Sequence, residues 1–149
     1  MPEEIQFALS KISPPLPVDH PNEPSRQPGD GRVRVLVVDD ERLITDTVCA
    51  ILNENGFEAA AAYNGREAIE EARKLRPEIV LSDALMPKMS GVELGIELRK
   101  EFPQVKFLLF SGQAATSEMI DRAEAEGHFF DLFPKPMHPE ELMARLRSL

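Results

Sequence analysis

Three aspartates follow two apolar runs of the sequence, and their side chains have the chemistry to bind a cation. Asp39 and Asp40 come directly after the run 33–38, and Asp83 follows the run 79–81 after one serine. Carboxylates held close together raise one another's pKa values unless a cation compensates their charge. No cluster of His or Cys accompanies them, so Mg²⁺, an ion that prefers oxygen ligands, is indicated. A carboxylate also acts as a nucleophile in forming an aspartyl phosphate, and we assign that role to Asp83.

One hydroxyl and one ammonium group follow two further apolar runs. Ser111 comes after the run 105–110, and Lys135 comes shortly after the run 129–133. A lysine supplies a point positive charge to a phosphate oxygen, and a serine hydroxyl donates a hydrogen bond to another. Each residue also has an ordinary alternative, in which Asp40 caps a helix, Ser111 is a loop residue and Lys135 is a solvated charge. Their joint occurrence after strand runs favours a phosphoryl-binding site.

From residue 33 onward, strand-like apolar runs alternate with helical patterns. The predicted strands are 33–38, 57–61, 79–82, 105–110 and 129–133. Five strands alternating with five helices predict a parallel sheet with helices on both faces, because parallel neighbours need crossover connections. We therefore predict an α/β, doubly wound, flavodoxin-like (βα)5 fold with three layers and the strand order 2-1-3-4-5. The carboxyl ends of parallel strands lie at one edge, so the polar residues are expected to converge there.

Breakers and capping patterns predict where the helices begin and end. The buried side of the first helix is predicted to carry Ile44, Val48, Ile51 and Leu52. The predicted helix limits are Gly56 after the first helix, the capping-box pairs Asn64 with Glu67 and Ser90 with Glu93, Thr116 or Ser117 as the cap of the fourth helix, and Pro139 at the start of the fifth. The single cysteine, Cys49, excludes an internal disulfide and is predicted to lie in the core.

Composition narrows the class of protein. A net charge of −9 argues against direct nucleic-acid binding, which normally requires a basic face. No apolar run approaches the roughly 20 residues that a membrane span needs, and the N-terminus lacks a secretory pattern, so we expect a cytoplasmic protein without membrane insertion. Seven of the 13 prolines fall within residues 1–32. That segment is predicted to be a disordered or loosely packed tail, followed by one domain over 33–149.

The site residues resemble those of the receiver domain of two-component response regulators. The resemblance covers 33–149 and is carried by Asp39-Asp40, Asp83-x-x-Met86-Pro87-x-Met89-x-Gly91, Ser111-Gly112 and Lys135-Pro136. It implies a phosphorylated signalling protein and not a dedicated enzyme, with at most slow autophosphorylation and autodephosphorylation. The implied phosphoryl donor is a histidine kinase or a histidine phosphotransfer protein, and the implied target is a downstream effector protein.

The resemblance also implies roles at the acidic residues. Asp83 would accept the phosphoryl group. Asp40 and Asp83 would bind Mg²⁺ directly, together with the backbone carbonyl of Leu85, and Asp39 would act largely through water. Leu85 and Gln113 occupy the two positions at which this family tunes attack by water. Because a leucine side chain cannot orient a water molecule, we expect slow loss of the phosphoryl group.

The resemblance also implies which residues contact the phosphoryl oxygens and which residues respond to phosphorylation. Ser111 and Lys135 would hold those oxygens, and the bond between Lys135 and Pro136 would be cis. In this family the hydroxyl residue switches together with an aromatic residue three positions before the lysine, but Leu132 stands at that position. Since no output domain follows the fifth helix in the sequence, we expect output by protein contact through the face formed by the fourth helix, fifth strand and fifth helix, residues 116–149.

Three other functions are considered beside this one. A phosphorelay carrier would pass the phosphoryl group onward without an effector surface, and a pseudo-receiver would bind partners without phosphorylation, which Leu132 leaves open. An aspartyl-phosphate phosphatase of the haloacid-dehalogenase kind needs an Asp-x-Asp motif after the first strand. Because Asp39 and Asp40 are adjacent, the sequence disfavours this hydrolase.

Overall fold

A computed structural model describes residues 3–4, 9–11, 31–112, 115–135 and 138–149. Its strands are β1 (Glu3–Glu4), β2 (Leu9–Lys11), β3 (Arg34–Val38), β4 (Glu58–Ala62), β5 (Ile79–Asp83), β6 (Lys106–Ser111) and β7 (Asp131–Pro134). Its helices are α1 (Arg42–Glu54), α2 (Gly65–Leu75), α3 (Gly91–Glu101), α4 (Ala115–Ala125) and α5 (Pro139–Arg147). Among the described residues, no helix is long and apolar enough to cross a membrane.

The main sheet has five parallel strands in the order β4-β3-β5-β6-β7. Counted within this sheet, that order is 2-1-3-4-5, so the predicted doubly wound α/β fold is confirmed. The short strands β1 and β2 pair with each other in antiparallel fashion. Most of the predicted tail, 1–32, lies outside the described residues, and its loose packing stays a prediction.

The inner strands are apolar over most of their length because helices cover both faces of the sheet. On β3, Val35 and Val37 belong to one buried cluster, whereas Leu36 and Val38 belong to the other. This alternation follows from the two-residue period of a strand, and a strand buried on both faces is a nearly continuous apolar run. The two clusters form the core and leave the carboxyl ends of the strands at one edge, which we call the carboxyl edge.

The buried face of α1 differs from the predicted one. Its buried residues are Thr45, Val48, Cys49 and Leu52, so Cys49 lies in the core as predicted. Ile44, which was predicted to point inward, is 39% exposed. The hydroxyl of Thr45 lies 2.9 Å from two backbone carbonyl oxygens, to which it donates. Those bonds allow a polar side chain to take the buried position at little cost.

Two boundaries near the end of the chain were predicted wrongly. Strand β7 begins at Asp131 and not at Phe129, which is 64% exposed. Phe130 is buried against Phe107, with ring centroids 5.6 Å apart, so its apolar character reflects packing and not a strand. Helix α4 begins at Ala115. The predicted caps, Thr116 and Ser117, therefore lie inside the helix.

Other helix ends agree with the capping patterns. At α3, Ser90 accepts a hydrogen bond from the backbone amide of Glu93, and Glu93 accepts one from that of Ser90, which completes the predicted capping box. At α2, Asn64 caps the helix as predicted, but the carboxylate of Glu67 accepts from the amide of Tyr63. Asn64 and Glu67 therefore form a helix cap, but they lack the reciprocal hydrogen bond of a capping box. Pro139 begins α5, as predicted.

Candidate phosphoryl and metal site

Strand ends bring the predicted site residues to the carboxyl edge. Asp39 directly follows β3, and Asp83 and Ser111 are the last residues of β5 and β6. Lys135 directly follows β7, and its backbone amide donates to the carbonyl of Ser111 over 3.3 Å. Adjacent parallel strands in matched register carry these residues to one place, although they are distant in the sequence.

Three carboxylates meet at this edge, and we call them the acidic trio. Oxygen atoms of Asp39, Asp40 and Asp83 all lie within 4.8 Å of one another. Asp39 is 2% exposed and Asp83 is 9% exposed, whereas Asp40 faces solvent. The alternative role of Asp40 as a helix cap is not supported, because Glu41 occupies the N-cap position of α1 and no side chain caps that helix end.

The environment of Asp39 disfavours a negative charge in the absence of a bound cation. The pKa of its carboxyl is raised from 3.8 to about 6, mainly by burial and in part by the nearby carboxylates of Asp83 and Asp40. A hydrogen bond from the amide of Glu41, 3.1 Å long, and the charge of Lys135 act in the opposite direction. Three carboxylates and one nearby lysine thus leave the site with excess negative charge.

This excess charge fits a hard divalent cation. The three side chains of the trio offer only oxygen ligands, and no histidine or cysteine joins the trio in the described part of the chain. Carboxylate oxygens suit Mg²⁺ and Ca²⁺, and Mg²⁺ needs only one or two carboxylates when waters and phosphate oxygens supply the rest. The residues present therefore fit the predicted ion.

A lysine compensates part of the charge on Asp83. The ammonium nitrogen of Lys135 lies 3.2 Å from a carboxylate oxygen of Asp83, and the lysine side chain is 37% exposed. The same oxygen accepts a long hydrogen bond, 3.4 Å, from the backbone amide of Leu85. Lys135 thus places a cation beside the carboxylate without closing it off from solvent.

Gly91 fixes the backbone around Asp83. A methyl group on Gly91 would lie 2.3 Å from the backbone oxygen of Asp83 and 2.8 Å from a methyl carbon of Leu109. The amide of Gly91 donates to the carbonyl of Ala84 over 2.9 Å. Only a residue without a side chain allows α3 to begin so close to this strand end. The glycine of the Met-Pro motif thus sets the position of the carboxylate.

Ser111 has a partner that the sequence did not indicate. Its hydroxyl oxygen lies 2.5 Å from that of Thr116 in α4, and Thr116 is 1% exposed. Both hydroxyls line a cavity of about 220 Å³ that is also lined by Asp83, Leu85 and Lys135. Sequence reasoning placed Thr116 at a helix cap, and no motif links a threonine five positions after this serine to the site.

Leu132 points outward at the position where the family pattern has an aromatic residue. It is 42% exposed, and Phe129 nearby is also exposed. The following residue, Phe133, is buried against Phe110, with ring centroids 5.9 Å apart. Gln113 lies outside the described residues, as does the predicted cis bond to Pro136.

Comparisons with known proteins agree with this fold. A sequence model described as the response regulator receiver domain matches residues 35–147. Response regulator MprA of Mycolicibacterium vanbaalenii is 35% identical over 117 residues, which are 78% of this chain and 50% of that protein. The probable transcriptional regulatory protein TcrX of Mycobacterium tuberculosis is 38% identical over 121 residues, 80% of this chain and 51% of that protein. The chain thus spans about half the length of these curated relatives.

The comparison with solved structures agrees with the comparison of sequences. Chemotaxis protein CheY4 of Vibrio cholerae matches with a TM-score of 0.69 and 28% identity, over 79% of this chain and 98% of that one. A two component transcriptional regulator AraC of Clostridium phytofermentans matches with a TM-score of 0.65 and 32% identity, over 78% and 90% of the two chains. Fold and site thus define a signalling domain with an acidic pocket at the carboxyl edge of a parallel sheet. The chain belongs to the response regulator receiver domain family of two-component systems.

Proposed function

We propose that Asp83 is the phosphoacceptor of this receiver domain and that Mg²⁺ is required for its phosphorylation. The observation that carries the proposal is the setting of one carboxylate, which lies 3.2 Å from the ammonium group of Lys135 and within 4.8 Å of the other two carboxylates of the acidic trio. The donor is the phosphohistidine of a histidine kinase or of a histidine phosphotransfer protein.

The acidic trio would hold the ion. Asp40 and Asp83 would be its direct carboxylate ligands, together with the backbone carbonyl of Leu85, and Asp39 would act largely through water. Bound Mg²⁺ neutralises carboxylate and phosphoryl oxygens and so lowers the repulsion between two anions that must meet. The close approach of three carboxylates, whose oxygens lie within 4.8 Å of one another, supports this assignment, because a cation would relieve their mutual repulsion.

The transfer itself needs little proton chemistry. One carboxylate oxygen of Asp83 uses a lone pair to form the bond to phosphorus. The P–N bond to the donor ring breaks, and its electron pair stays on the nitrogen; because the other ring nitrogen of the phosphohistidine carries a proton, the donor leaves as neutral imidazole. Catalysis is then a matter of positioning and of stabilising charge. Lys135 and Ser111 do this by contacting the phosphoryl oxygens, one with a positive charge and the other with a hydroxyl hydrogen.

The proposed output is contact with a downstream effector protein. The face concerned is made by α4, β7 and α5, within 116–149, and phosphorylation would shift its population of conformations. The exposure of Phe129 and Leu132, two large apolar side chains of this face, supports this, since exposed apolar surface is typical of interaction sites. On this view the domain, 33–149, is a phosphorylated switch in the cytoplasm and not a dedicated enzyme, and 1–32 is a tail outside the switch.

Two alternatives differ from the main proposal in one property each. A phosphorelay carrier shares the chemistry but passes the phosphoryl group to a second histidine. A pseudo-receiver binds partners without phosphorylation, and the complete acidic trio with Lys135 beside Asp83 argues against it. The hydrolase of the haloacid-dehalogenase kind has no support, because it needs an Asp-x-Asp motif after the first strand, where Asp39 and Asp40 are adjacent.

Acetyl phosphate, a small phosphoryl donor, provides the test. The protein is incubated with acetyl phosphate and Mg²⁺, and one added phosphoryl group is sought by intact mass spectrometry. We expect the adduct in the native chain and in Asp121→Asn, an exposed aspartate of α4. We expect none in Asp83→Asn or after removal of Mg²⁺ with EDTA. Absence of any adduct from both acetyl phosphate and a cognate kinase would favour the pseudo-receiver.

A further inference from the structure

The hydroxyl groups of Ser111 and Thr116 connect the candidate site to the beginning of α4. Their oxygens lie 2.5 Å apart. Ser111 is the last residue of β6, and Thr116 is buried in the first turn of the helix. Both line the cavity that contains Asp83 and Lys135. Any displacement of the serine toward a phosphoryl group therefore acts on a hydrogen bond to α4.

Two consecutive hydrogen bonds can connect Thr116, Ser111 and a phosphoryl oxygen, because each hydroxyl group can both donate and accept. A hydroxyl group has one hydrogen to donate and lone pairs with which to accept. When Ser111 donates its hydrogen to a phosphoryl oxygen, its oxygen remains able to accept the hydrogen of Thr116. Such a chain, ending on an anionic oxygen, is strengthened because each bond polarises the next. The threonine would then direct the serine hydrogen toward the phosphoryl group.

We propose that Thr116 is a positioning residue that orients the hydroxyl of Ser111 for the phosphoryl group and carries the response of Ser111 into α4. The proposal rests on the proposed phosphorylation of Asp83. It accounts for how α4 responds when Leu132, a half-exposed leucine, occupies the place of an aromatic residue. The connection runs through two hydroxyl groups and needs no aromatic side chain.

Three full-length variants separate the hydroxyl of Thr116 from its shape. Thr116→Val keeps the shape and removes the hydroxyl, whereas Thr116→Ser keeps the hydroxyl. Ser117→Ala is the matched control, since Ser117 is an exposed neighbour in the same helix. Two quantities are measured with acetyl phosphate and Mg²⁺. One is the rate at which the phosphoryl adduct forms, and the other is the change in amide hydrogen exchange of 115–125 on phosphorylation.

We expect Thr116→Val to form the adduct about fivefold more slowly, the effect of losing one hydrogen bond of ordinary strength. We also expect its exchange in α4 to change little on phosphorylation. Thr116→Ser and Ser117→Ala should keep both properties of the native chain. A residue with a merely structural role would alter the thermal stability of the protein without removing the phosphorylation-dependent change in α4.

The outcomes distinguish this proposal from the one on which it rests. If the native chain takes up no phosphoryl group, both proposals are overturned. If the native chain is phosphorylated and Thr116→Val matches it in rate and in the response of α4, only the role of Thr116 is overturned. Thr116→Ala also lacks the hydroxyl, and the same expectations apply to it should Thr116→Val fail to fold.

Discussion

Asp39 has almost no contact with solvent, yet it lies beside two other carboxylates. This makes the metal-free domain less stable than its core alone would allow. Its folded-state pKa of about 6 exceeds the unfolded value of 3.8, so the folded state binds the proton more tightly. The resulting destabilisation is full above about pH 6 and disappears as the pH falls through this range toward 4.

Asp39→Asn should therefore stabilise the metal-free protein at pH 7.5. The gain in the free energy of unfolding should be at most about 3 kcal/mol, since one pKa unit corresponds to about 1.4 kcal/mol. The gain should shrink at pH 5, where the native carboxyl is largely protonated. Urea unfolding in EDTA at both pH values measures the difference between variant and native chain, with Asp121→Asn as the exposed control. A gain of equal size at both pH values would contradict the argument.

Leu85 bears on how long the phosphoryl group stays on Asp83. It lines the site cavity, and an aliphatic side chain there neither orients nor activates an attacking water. We expect a phosphoryl lifetime well beyond seconds in the native chain. Leu85→Asn should shorten it by about tenfold, the rate ratio that corresponds to about 1.4 kcal/mol of barrier. Release of phosphate from the purified adduct measures both lifetimes, and a native lifetime of seconds would refute the assignment.

Among the secondary-structure elements, the strands that are buried on both faces were predictable from the sequence, because their apolar runs allowed only one interpretation. The run 79–81 contains no polar residue, the run 33–38 contains only Arg34 near its beginning, and the sheet contains both. The start of β7 was missed because Phe130, an apolar residue outside the strand, packs on Phe107. The sequence pattern records that a residue is buried but not which element buries it.

The candidate site was predictable for a related reason. Asp39, Asp83, Ser111 and Lys135 follow strands, and the edge of a parallel sheet gathers such residues whatever the loops do. Thr116 was not predictable as a site residue, because its contact with Ser111 depends on how α4 begins. Helix beginnings in loops are set by tertiary packing that capping patterns alone do not determine.

Gly91 shows how closely α3 and β5 approach. A methyl group at this position would meet the backbone oxygen of Asp83 at 2.3 Å, and backbone cannot move aside as a flexible side chain does. Gly91→Ala should lower the free energy of unfolding by about 2–3 kcal/mol, as overpacked core positions do. It should also slow phosphorylation, since the carboxylate is displaced.

Gly56→Ala provides the comparison for this prediction. Gly56 has a φ of +90° and open space around its Cβ position, so alanine there adds backbone strain without a steric clash. Its cost should be about 1 kcal/mol, and its phosphorylation rate should equal that of the native chain. Urea unfolding and acetyl phosphate uptake measure both variants. Equal stability losses in the two variants would show that the close approach at Gly91 is not the cause.

For the whole molecule, the residues assigned to phosphorylation all come from 39–135. The sheet and helices that position them lie within 34–147, and the tail supplies none of them. A fragment with residues 33–149 should therefore take up a phosphoryl group from acetyl phosphate at the rate of the full chain. Intact mass measured over time gives both rates, with Asp83→Asn of the fragment as the blank. A fragment that folds, as judged by cooperative thermal unfolding, but takes up none would assign the tail a part in the site.

The carboxyl edge has a consequence for the reliability of signalling. The proposed phosphoryl site is complete only when β3, β5, β6 and β7, which come from distant parts of the chain, stand side by side, because its residues end or follow these four strands. If the proposed function holds, a nascent, misfolded or partly degraded copy would have no assembled site and would not be phosphorylated by a kinase. The ability to receive the phosphoryl group would then itself depend on correct folding, so that defective copies would stay unphosphorylated.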